Sequence, residues 1–220
     1  MNEKEGLTFY SYFIPHPSSL IPAFHLMVEY TEEIASVFAV QLYDECACRS
    51  VMEELKRSAA WTEARVSARS SDGFNPATRV DARRASVLAL SAKSEIRREF
   101  DEKMDALIKP LVRKVWRICL KQHSETHVVR YTAGNYYTPH SDTGLNRTDR
   151  YFTTLCYLND DFEGGETGFP KLNYRVKPSC GKAVVFPATY LHSAEPVLSG
   201  EKYVLVSWLT GPTPTNHSTW

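Results

Sequence analysis

The sequence predicts an α+β protein in which helices come first and a β-sandwich or β-barrel follows. Two segments, 44–59 and 91–123, have apolar residues at helical spacing. After residue 125 the chain changes to short β-branched and aromatic runs separated by Gly, Asn, Asp and Pro, which is typical of an all-β unit. The length of 220 residues fits one domain of this kind with additions.

The two helical segments carry recognisable start and break signals. Asp44 precedes the first one and is suited to cap its N-terminus, and apolar positions on one face continue to Leu55. In the second segment the apolar residues recur every three or four positions over 96–115. Pro110 lies within that pattern, and we expect it to break or kink the helix.

The region between the two helices predicts a loop. Residues 61–86 are polar, have little periodicity and contain Gly73 and Pro76, which is typical of a mobile surface loop or lid. We expect the part from Trp61 to Arg84 to cover a bound primary substrate.

Charge and hydropathy restrict the class of partner. The 26 Lys and Arg residues balance 26 Asp and Glu residues, so no overall field attracts the chain to nucleic acid or a membrane surface. Apolar runs such as YVLVSWL are far shorter than the roughly 20 residues of a membrane span. The start MNEKEGLTFYSYF has acidic residues where a signal peptide needs basic ones, which predicts a cytoplasmic protein. The oligomeric state stays open.

One histidine and one aspartate stand two positions apart in the run YYTPHSD. If that segment is extended, His140 and Asp142 lie on one face of a strand and converge on one point. His192 lies between two predicted strands and can reach the same end of a barrel. Two imidazoles and one carboxylate on one face suit non-haem Fe(II). The other histidines are interpreted as surface or core residues: His16, His25, His123, His127 and His217.

The stretch 128–212 resembles the catalytic domain of the Fe(II)/2-oxoglutarate dioxygenases, within them the prolyl 4-hydroxylase-like branch. The resemblance rests on an HxD motif, a GGE turn, a distal histidine and a basic residue ten positions later, in that order. It implies a double-stranded β-helix, or jelly roll, braced by N-terminal helices. The implied organisation is an N-terminal extension over 1–40, a dioxygenase domain over 41–212 with its jelly-roll core at about 126–212, and a tail over 213–220.

The resemblance also implies roles for single residues. His140, Asp142 and His192 would bind the metal, and Lys202 would bind the distal carboxylate of 2-oxoglutarate. Further cosubstrate contacts are implied for three aromatic residues, Tyr131, Tyr157 and Trp208. An arginine directed at the primary substrate is implied at Arg150, and the arginines of the predicted lid are candidates to contact an anionic group: Arg79, Arg83 and Arg84.

The implied activity is hydroxylation of an aliphatic C–H bond coupled to decarboxylation of 2-oxoglutarate to succinate and CO2. The implied cofactors are Fe(II), O2 and the cosubstrate 2-oxoglutarate, with ascorbate a candidate reductant. The substrate would be a small molecule or an amino-acid or peptidyl, proline-like group. A carboxylate ligand at Asp142 disfavours halogenation, whereas cyclisation, desaturation and demethylation stay open. The alternative is a non-enzymatic, cupin-like metal-binding or sensor module.

Overall fold

A computed structural model of the chain describes residues 9–13, 27–64, 66–70, 73–77, 82–120, 122–144 and 147–211. Within these ranges the helices are α1 (Glu45–Arg57), α2 (Glu95–Lys103) and α3 (Lys109–Trp116), with a π-helical segment, Met104–Ile108, between the last two. The strands are β1 (Phe9–Phe13), β2 (Met27–Ile34), β3 (Val37–Gln41), β4 (Thr62–Glu63), β5 (Val66–Ser70), β6 (Gly73–Ala77), β7 (Arg83–Arg84), β8 (Ser86–Leu90), β9 (Gln122–His123), β10 (Thr126–Thr132), β11 (Tyr136–His140), β12 (Arg150–Tyr157), β13 (Glu163–Gly164), β14 (Thr167–Phe169), β15 (Tyr174–Val176), β16 (Lys182–Pro187), β17 (His192–Ala194), β18 (Val197–Ser199) and β19 (Glu201–Thr210).

Two antiparallel sheets form a jelly roll, as predicted. The main sheet has the order β1-β2-β3-β16-β12-β19-β10-β8-β4, with β9 pairing beside β19. The smaller sheet has the order β15-β14-β17-β11-β7. The two sheets face each other across a core in which Val184 and Phe186 of the main sheet pack near Phe169 and Val176 of the smaller one. Strands β5 and β6 pair only with each other within the described residues.

Strand β19 shows how one sequence serves two faces of the main sheet. Tyr203, Leu205 and Leu209 pack with the helices in one core cluster. The alternate positions, with Lys202 and Trp208 at the two ends, line a cavity between the sheets. Successive side chains of a strand point to opposite faces, so this alternation follows from the extended backbone. Both faces are covered, and nearly the whole strand is therefore buried.

The predicted helices are present. The Asp44 side chain caps α1 by accepting a hydrogen bond from the Ala47 N–H at 2.8 Å. The second helical tract continues through Pro110, which lies in the first turn of α3. The preceding π-helical segment widens the turn, and the Lys109 N–H bonds to the Met104 carbonyl five residues back. The expected disruption at Pro110 is thus absorbed by a local change of helical pitch without ending the tract.

The N-terminal strands contribute to the main sheet. Strand β3 pairs with β16, from Lys182 opposite Gln41 to Val185 opposite Phe38, and β2 pairs with β3. Part of the segment predicted as an extension over 1–40 therefore forms sheet hydrogen bonds with the jelly roll. The domain boundaries themselves stay a prediction. The predicted tail over 213–220, with His217, and the histidines His16 and His25 lie outside the described residues.

The polar tract predicted as an irregular loop contains strands. Strands β5 and β6 pair in antiparallel register from Val66 opposite Ala77 to Ser70 opposite Gly73. Strand β4 extends the main sheet next to β8, and β7 extends the smaller sheet next to β11. The expectation of an irregular loop was wrong because backbone pairing supplies order that the side-chain pattern does not show. Closure of this tract over a substrate stays a prediction.

None of the helices in the described ranges is long and apolar enough to cross a membrane.

Candidate active site

Three polar side chains converge in the cavity between the two sheets. His140 ends β11 and His192 begins β17, and the two residues face each other in the antiparallel register of these strands. Asp142 follows β11, where its N–H donates to the Ala188 carbonyl at 2.9 Å. Asp142 Oδ1 lies 3.7 Å from His140 Nε2, and Asp142 Oδ2 lies 3.5 Å from His192 Nε2. The structure thus brings together the three predicted metal ligands.

Backbone hydrogen bonds orient both imidazoles. Nδ1 of His140 lies 2.9 Å from the Thr138 carbonyl, and Nδ1 of His192 lies 3.0 Å from the Tyr190 carbonyl. A carbonyl can only accept, so each Nδ1 carries the proton and each Nε2 is left with its lone pair facing Asp142. This is the arrangement that metal-binding histidines adopt.

The carboxylate of Asp142 is oriented as well. The Thr153 hydroxyl donates to Asp142 Oδ2 at 2.7 Å. Burial raises the pKa of Asp142, but His192, His140 and the Thr153 hydrogen bond outweigh burial and lower it below its ordinary value. The Trp208 indole N–H contributes to the same lowering, although its position falls short of hydrogen-bond geometry. Asp142 is therefore an anion at neutral pH.

The donor set fits a divalent transition metal. One ligand atom from each of His140, Asp142 and His192 lies within 4.8 Å of the others. Burial, followed by the neighbouring His192, lowers the pKa of His140 to about 3. A neutral imidazole is the form that binds a metal. Two imidazoles and a carboxylate on one side match the facial triad of non-haem Fe(II) sites.

The closed end of the cavity contains Lys202. This residue is 2% exposed and lies opposite Tyr131 in the pairing of β19 with β10. Its Nζ donates to the Gly165 carbonyl at 2.6 Å and lies 5.5 Å and 5.3 Å from the ring centroids of Tyr131 and Tyr157. Burial lowers the pKa of Lys202 to about 7, an effect that Glu166 opposes. No ion pair joins Lys202 to the residues that the structure describes.

Tyr157 and Thr167 form a hydrogen bond near Lys202. The Tyr157 hydroxyl donates to Thr167 Oγ1 at 2.7 Å.

Gly164 and Gly165 have φ angles of +72° and +67°, so the turn before β14 uses the conformation expected for these glycines. A Cβ on Gly164 would lie 2.4 Å from the Pro196 carbonyl oxygen, which makes glycine necessary at that position. The turn places the Gly165 carbonyl against Lys202.

The open end of the cavity is formed by arginines and aromatic rings. The Arg150 guanidinium carbon lies 3.4 Å from the centroid of the Trp208 ring. Burial, with a smaller contribution from Arg147, lowers the pKa of Arg150 to about 10. Glu125 lies 3.2 Å from Arg147 and 3.8 Å from Arg150, and its side chain is 51% exposed.

The predicted lid arginines have different positions. Arg83 lines the cavity, and its guanidinium lies 4.6 Å from the centroid of the Tyr137 ring. The Tyr137 ring in turn stacks on His140, with centroids 3.5 Å apart and an angle of 18° between planes. Arg84 is exposed beside Tyr136 and is not brought to the cavity. Arg79 lies outside the described residues.

Sequence reasoning missed three contributors to the site. His127, interpreted as an incidental histidine, lines the cavity and packs edge-on against Trp208 with centroids 5.8 Å apart. Its strand parity with Val129 and Tyr131 was a usable signal. The other two are the Tyr137 ring, which stacks on His140, and the Thr153 hydroxyl, which donates to Asp142. Both contacts depend on how the strands are placed beside each other, which strand parity alone does not reveal.

The cavity has a volume of about 420 Å³. It runs from Lys202 past the three converging side chains to the arginines at its mouth. Lys202 and Trp208 both face the cavity and are six positions apart on β19, which is a distance of roughly 20 Å along an extended strand. The cavity therefore has room for two small molecules beside a metal ion, one toward each end.

A jelly roll with two histidines, an aspartate and a buried lysine in one cavity is the arrangement that the resemblance to the 2-oxoglutarate and Fe(II) dependent oxygenases implies. Residues 126–210 match the family model described as the 2OG-Fe(II) oxygenase superfamily. The match and the fold together confirm the resemblance to this class of enzyme.

Among individual relatives, the chain is similar to a PKHD-type hydroxylase of Prochlorococcus marinus (strain NATL2A). The two are 35% identical over 91 residues, which cover 38% of this chain and 41% of the relative. The hydroxylase relatives are matched over 29% to 54% of their own lengths, so the chain spans about half or less of each.

Two solved structures show the same fold. The prolyl-4-hydroxylase of Pseudomonas putida superimposes with a TM-score of 0.64 at 19% identity, covering 80% of this chain and 92% of that chain. The prolyl hydroxylase of Trichoplax adhaerens, in complex with a hypoxia inducible factor oxygen degradation domain peptide, superimposes with a TM-score of 0.67 at 15% identity, covering 84% and 88%. At these identities the likeness shows the fold.

Proposed function

We propose that this protein is an Fe(II)- and 2-oxoglutarate-dependent dioxygenase that hydroxylates an aliphatic C–H bond and releases succinate and CO2. The observation that carries the proposal is the combination, in one cavity, of a His-Asp-His cluster and a buried lysine without a carboxylate partner among the described residues. A metal cluster alone is compatible with many functions. The buried Lys202 in the same cavity is a binding site for a small anion, which most metal-binding modules do not need.

The roles proposed for the metal site follow from its donors. His140 and His192 would bind Fe(II) through Nε2, because their Nδ1 protons are engaged by backbone carbonyls. Asp142 would supply the negative charge, held in orientation by Thr153. Bound Fe(II) with 2-oxoglutarate would supply O2 activation, and the protein would position the reacting groups and exclude water.

At the closed end, Lys202 would bind the distal carboxylate of 2-oxoglutarate. The ammonium group has three donor protons, and the Gly165 carbonyl uses one of them. A carboxylate would satisfy the remaining donors and neutralise a buried charge that is costly when unpaired. Tyr131 and Tyr157 are proposed to complete the cosubstrate pocket, and Arg150 to face the primary substrate. Trp208, predicted as a further cosubstrate contact, packs against Arg150 at the mouth instead.

The substrate class is proposed by analogy with the two solved structures of the same fold. The Trichoplax protein is a prolyl hydroxylase in complex with a peptide, and the Pseudomonas protein is a prolyl-4-hydroxylase. We propose an amino-acid, peptidyl (proline-like) or other small-molecule substrate, with ascorbate as the candidate reductant. The cytoplasmic location stays a prediction.

An anaerobic titration tests the proposal against the alternative of a cupin-like metal-binding module. Purified protein receives Fe(II) and then 2-oxoglutarate without O2, and the visible spectrum is recorded. A charge-transfer band that saturates with 2-oxoglutarate supports the dioxygenase. Iron binding without that band supports the binding module. Succinate release is then measured with free amino acids, proline peptides and protein extracts.

A further inference from the structure

The mouth of the cavity carries more positive than negative charge. The cavity is lined by three arginines and one lysine, Arg83, Arg147, Arg150 and Lys202, and by one carboxylate, Asp142. In the proposed function Asp142 binds the metal and Lys202 binds the cosubstrate. The three arginines at the mouth are then left with Glu125, a half-exposed side chain at the rim.

Arg83 is the arginine whose charge is least compensated. It forms no ion pair with a carboxylate in the part of the chain that the structure describes, whereas both Arg147 and Arg150 reach Glu125. Its Nε is buried and has no hydrogen-bond partner among described residues. One face of its guanidinium is covered by the Tyr137 ring and its edge interacts with the Tyr131 hydroxyl, so Nε and the remaining donors are left for a ligand.

The stack fixes where those donors lie relative to the metal ligands. Arg83 packs on the Tyr137 ring, and the same ring stacks on His140, a predicted metal ligand. Arg83 also lies close enough to the Tyr131 hydroxyl to oppose the rise that burial causes in the pKa of Tyr131. A group bound to Arg83 would therefore lie in the reaction cavity, near the C–H bond to be oxidised.

Arg150 approaches the same space from the other sheet. Arg83 belongs to β7 in the smaller sheet and Arg150 begins β12 in the main sheet. His127 lines the same cavity, and burial lowers its pKa, an effect that Glu125 opposes and to which Arg150 and Arg83 add. Arg150 is itself held in place by the Trp208 ring at 3.4 Å.

We infer that the primary substrate carries a carboxylate, which Arg83 binds with support from Arg150 at the mouth of the cavity. This inference rests on the proposed function and names the substrate class for the same site. A carboxylate matches the planar fork of a guanidinium with two parallel hydrogen bonds. It also compensates buried positive charge that a neutral substrate would leave unpaired. The carboxylate can belong to a free amino acid or to the C-terminus of a peptide.

A matched pair of probes tests this inference without a known substrate. Trifluoroacetate and trifluoroacetamide have similar size and differ in charge, and both are followed by 19F NMR. The protein is loaded with Zn(II) and 2-oxoglutarate, which prevents turnover. Wild-type protein is compared with Arg83→Gln and with Arg84→Gln, the neighbouring exposed arginine that does not line the cavity.

We expect wild-type protein and Arg84→Gln to bind trifluoroacetate in preference to trifluoroacetamide. Arg83→Gln should weaken trifluoroacetate binding about 10- to 100-fold, because a hydrogen-bonded charge contact is lost. Equal binding of the two probes to wild type, or no binding of trifluoroacetate, would overturn the inference. A weaker affinity of Arg83→Gln for 2-oxoglutarate, with trifluoroacetate binding unchanged, would overturn it too, since Arg83 would then serve the cosubstrate.

The source of the carboxylate is distinguished by a second set of probes. L-proline, the dipeptide Gly-Pro and their C-terminal amides are titrated calorimetrically into the same Zn(II)-loaded protein. Tighter binding of the free acids supports the inference, and the size of the preferred acid identifies its source. An intact Fe(II) and 2-oxoglutarate band together with no preference for acids would refute only the carboxylate subsite. Absence of that band would refute the proposed function itself.

Discussion

The two ends of the cavity hold positive charge in different ways. At the closed end Lys202 is 2% exposed and has a backbone carbonyl as its partner. At the mouth, Arg147 and Arg150 share an exposed glutamate, and Arg83 lies against a tyrosine ring. A rigid, desolvated site suits one unvarying small anion. A rim built from side chains of several elements suits a ligand that differs between related proteins. In the proposed function the closed end binds the cosubstrate and the mouth binds the substrate.

The metal cluster between the two ends should give the largest effect. Replacing His192 with alanine removes one of two imidazole ligands, and we expect turnover to be abolished and Fe(II) affinity to fall sharply. Iron affinity is measured by anaerobic titration. His123→Ala is the control, because His123 pairs with Asp101 at 3.2 Å outside the cavity. Full activity of the His192 variant would remove this histidine from the metal site.

A substitution at Lys202, at the closed end, should change cosubstrate binding and leave metal binding unaffected. Lys202→Ala is expected to weaken 2-oxoglutarate binding by about 2–5 kcal/mol, or roughly 30- to 5,000-fold, while Fe(II) still binds. Calorimetric titration of Mn(II)-loaded protein measures the 2-oxoglutarate affinity, and anaerobic titration of the metal-free protein measures the Fe(II) affinity. Lys182→Ala is the matched control, since Lys182 pairs with Glu33 at 3.4 Å and does not line the cavity. Unchanged 2-oxoglutarate affinity would mean that another cation binds the distal carboxylate.

A smaller effect is expected from the group that orients Asp142. Thr153→Val keeps the side-chain shape and removes the hydrogen bond to Oδ2, which should weaken metal binding about 10- to 100-fold. Thr154→Val is the control, because the Thr154 hydroxyl is buried without a hydrogen-bond partner among the described residues. Mn(II) titration compares the two variants. Equal metal affinities would show that Thr153 does not support the site.

The pH dependence of cosubstrate binding distinguishes the two ends further. Burial lowers the pKa of Lys202 from its ordinary value to about 7, so the amine is charged below pH 7 and becomes neutral above it. The carboxylate needs the charged form, and the Kd for 2-oxoglutarate should rise about tenfold per pH unit above 7, until the pKa of the complex is reached. In Lys202→Arg the guanidinium stays charged, and its Kd should be flat over the same range. Parallel profiles for the two proteins would show that a different group titrates.

Much of the fold and of the metal site could be predicted from local patterns. The helix cap at Asp44, the parity of β19 and the HxD spacing of His140 and Asp142 depend on neighbours within a few positions. The strands β5 and β6 in the polar tract could not be predicted, because their order comes from backbone pairing. The continuation of the helical tract through Pro110 depended on a π-helical turn that composition does not indicate.

The sequence by itself determined the two helical tracts, the strand-rich region after residue 125, the candidate metal ligands and the lysine ten positions after the distal histidine. These features follow from side-chain chemistry and from the two-residue and 3.6-residue periods of the backbone. Tertiary structure alone decided which of two adjacent arginines, Arg83 or Arg84, enters the cavity, and that His127 lines it. Adjacent residues of a strand point to opposite faces, so the pairing of β7 with β11 turns one arginine inward and leaves its neighbour in solvent.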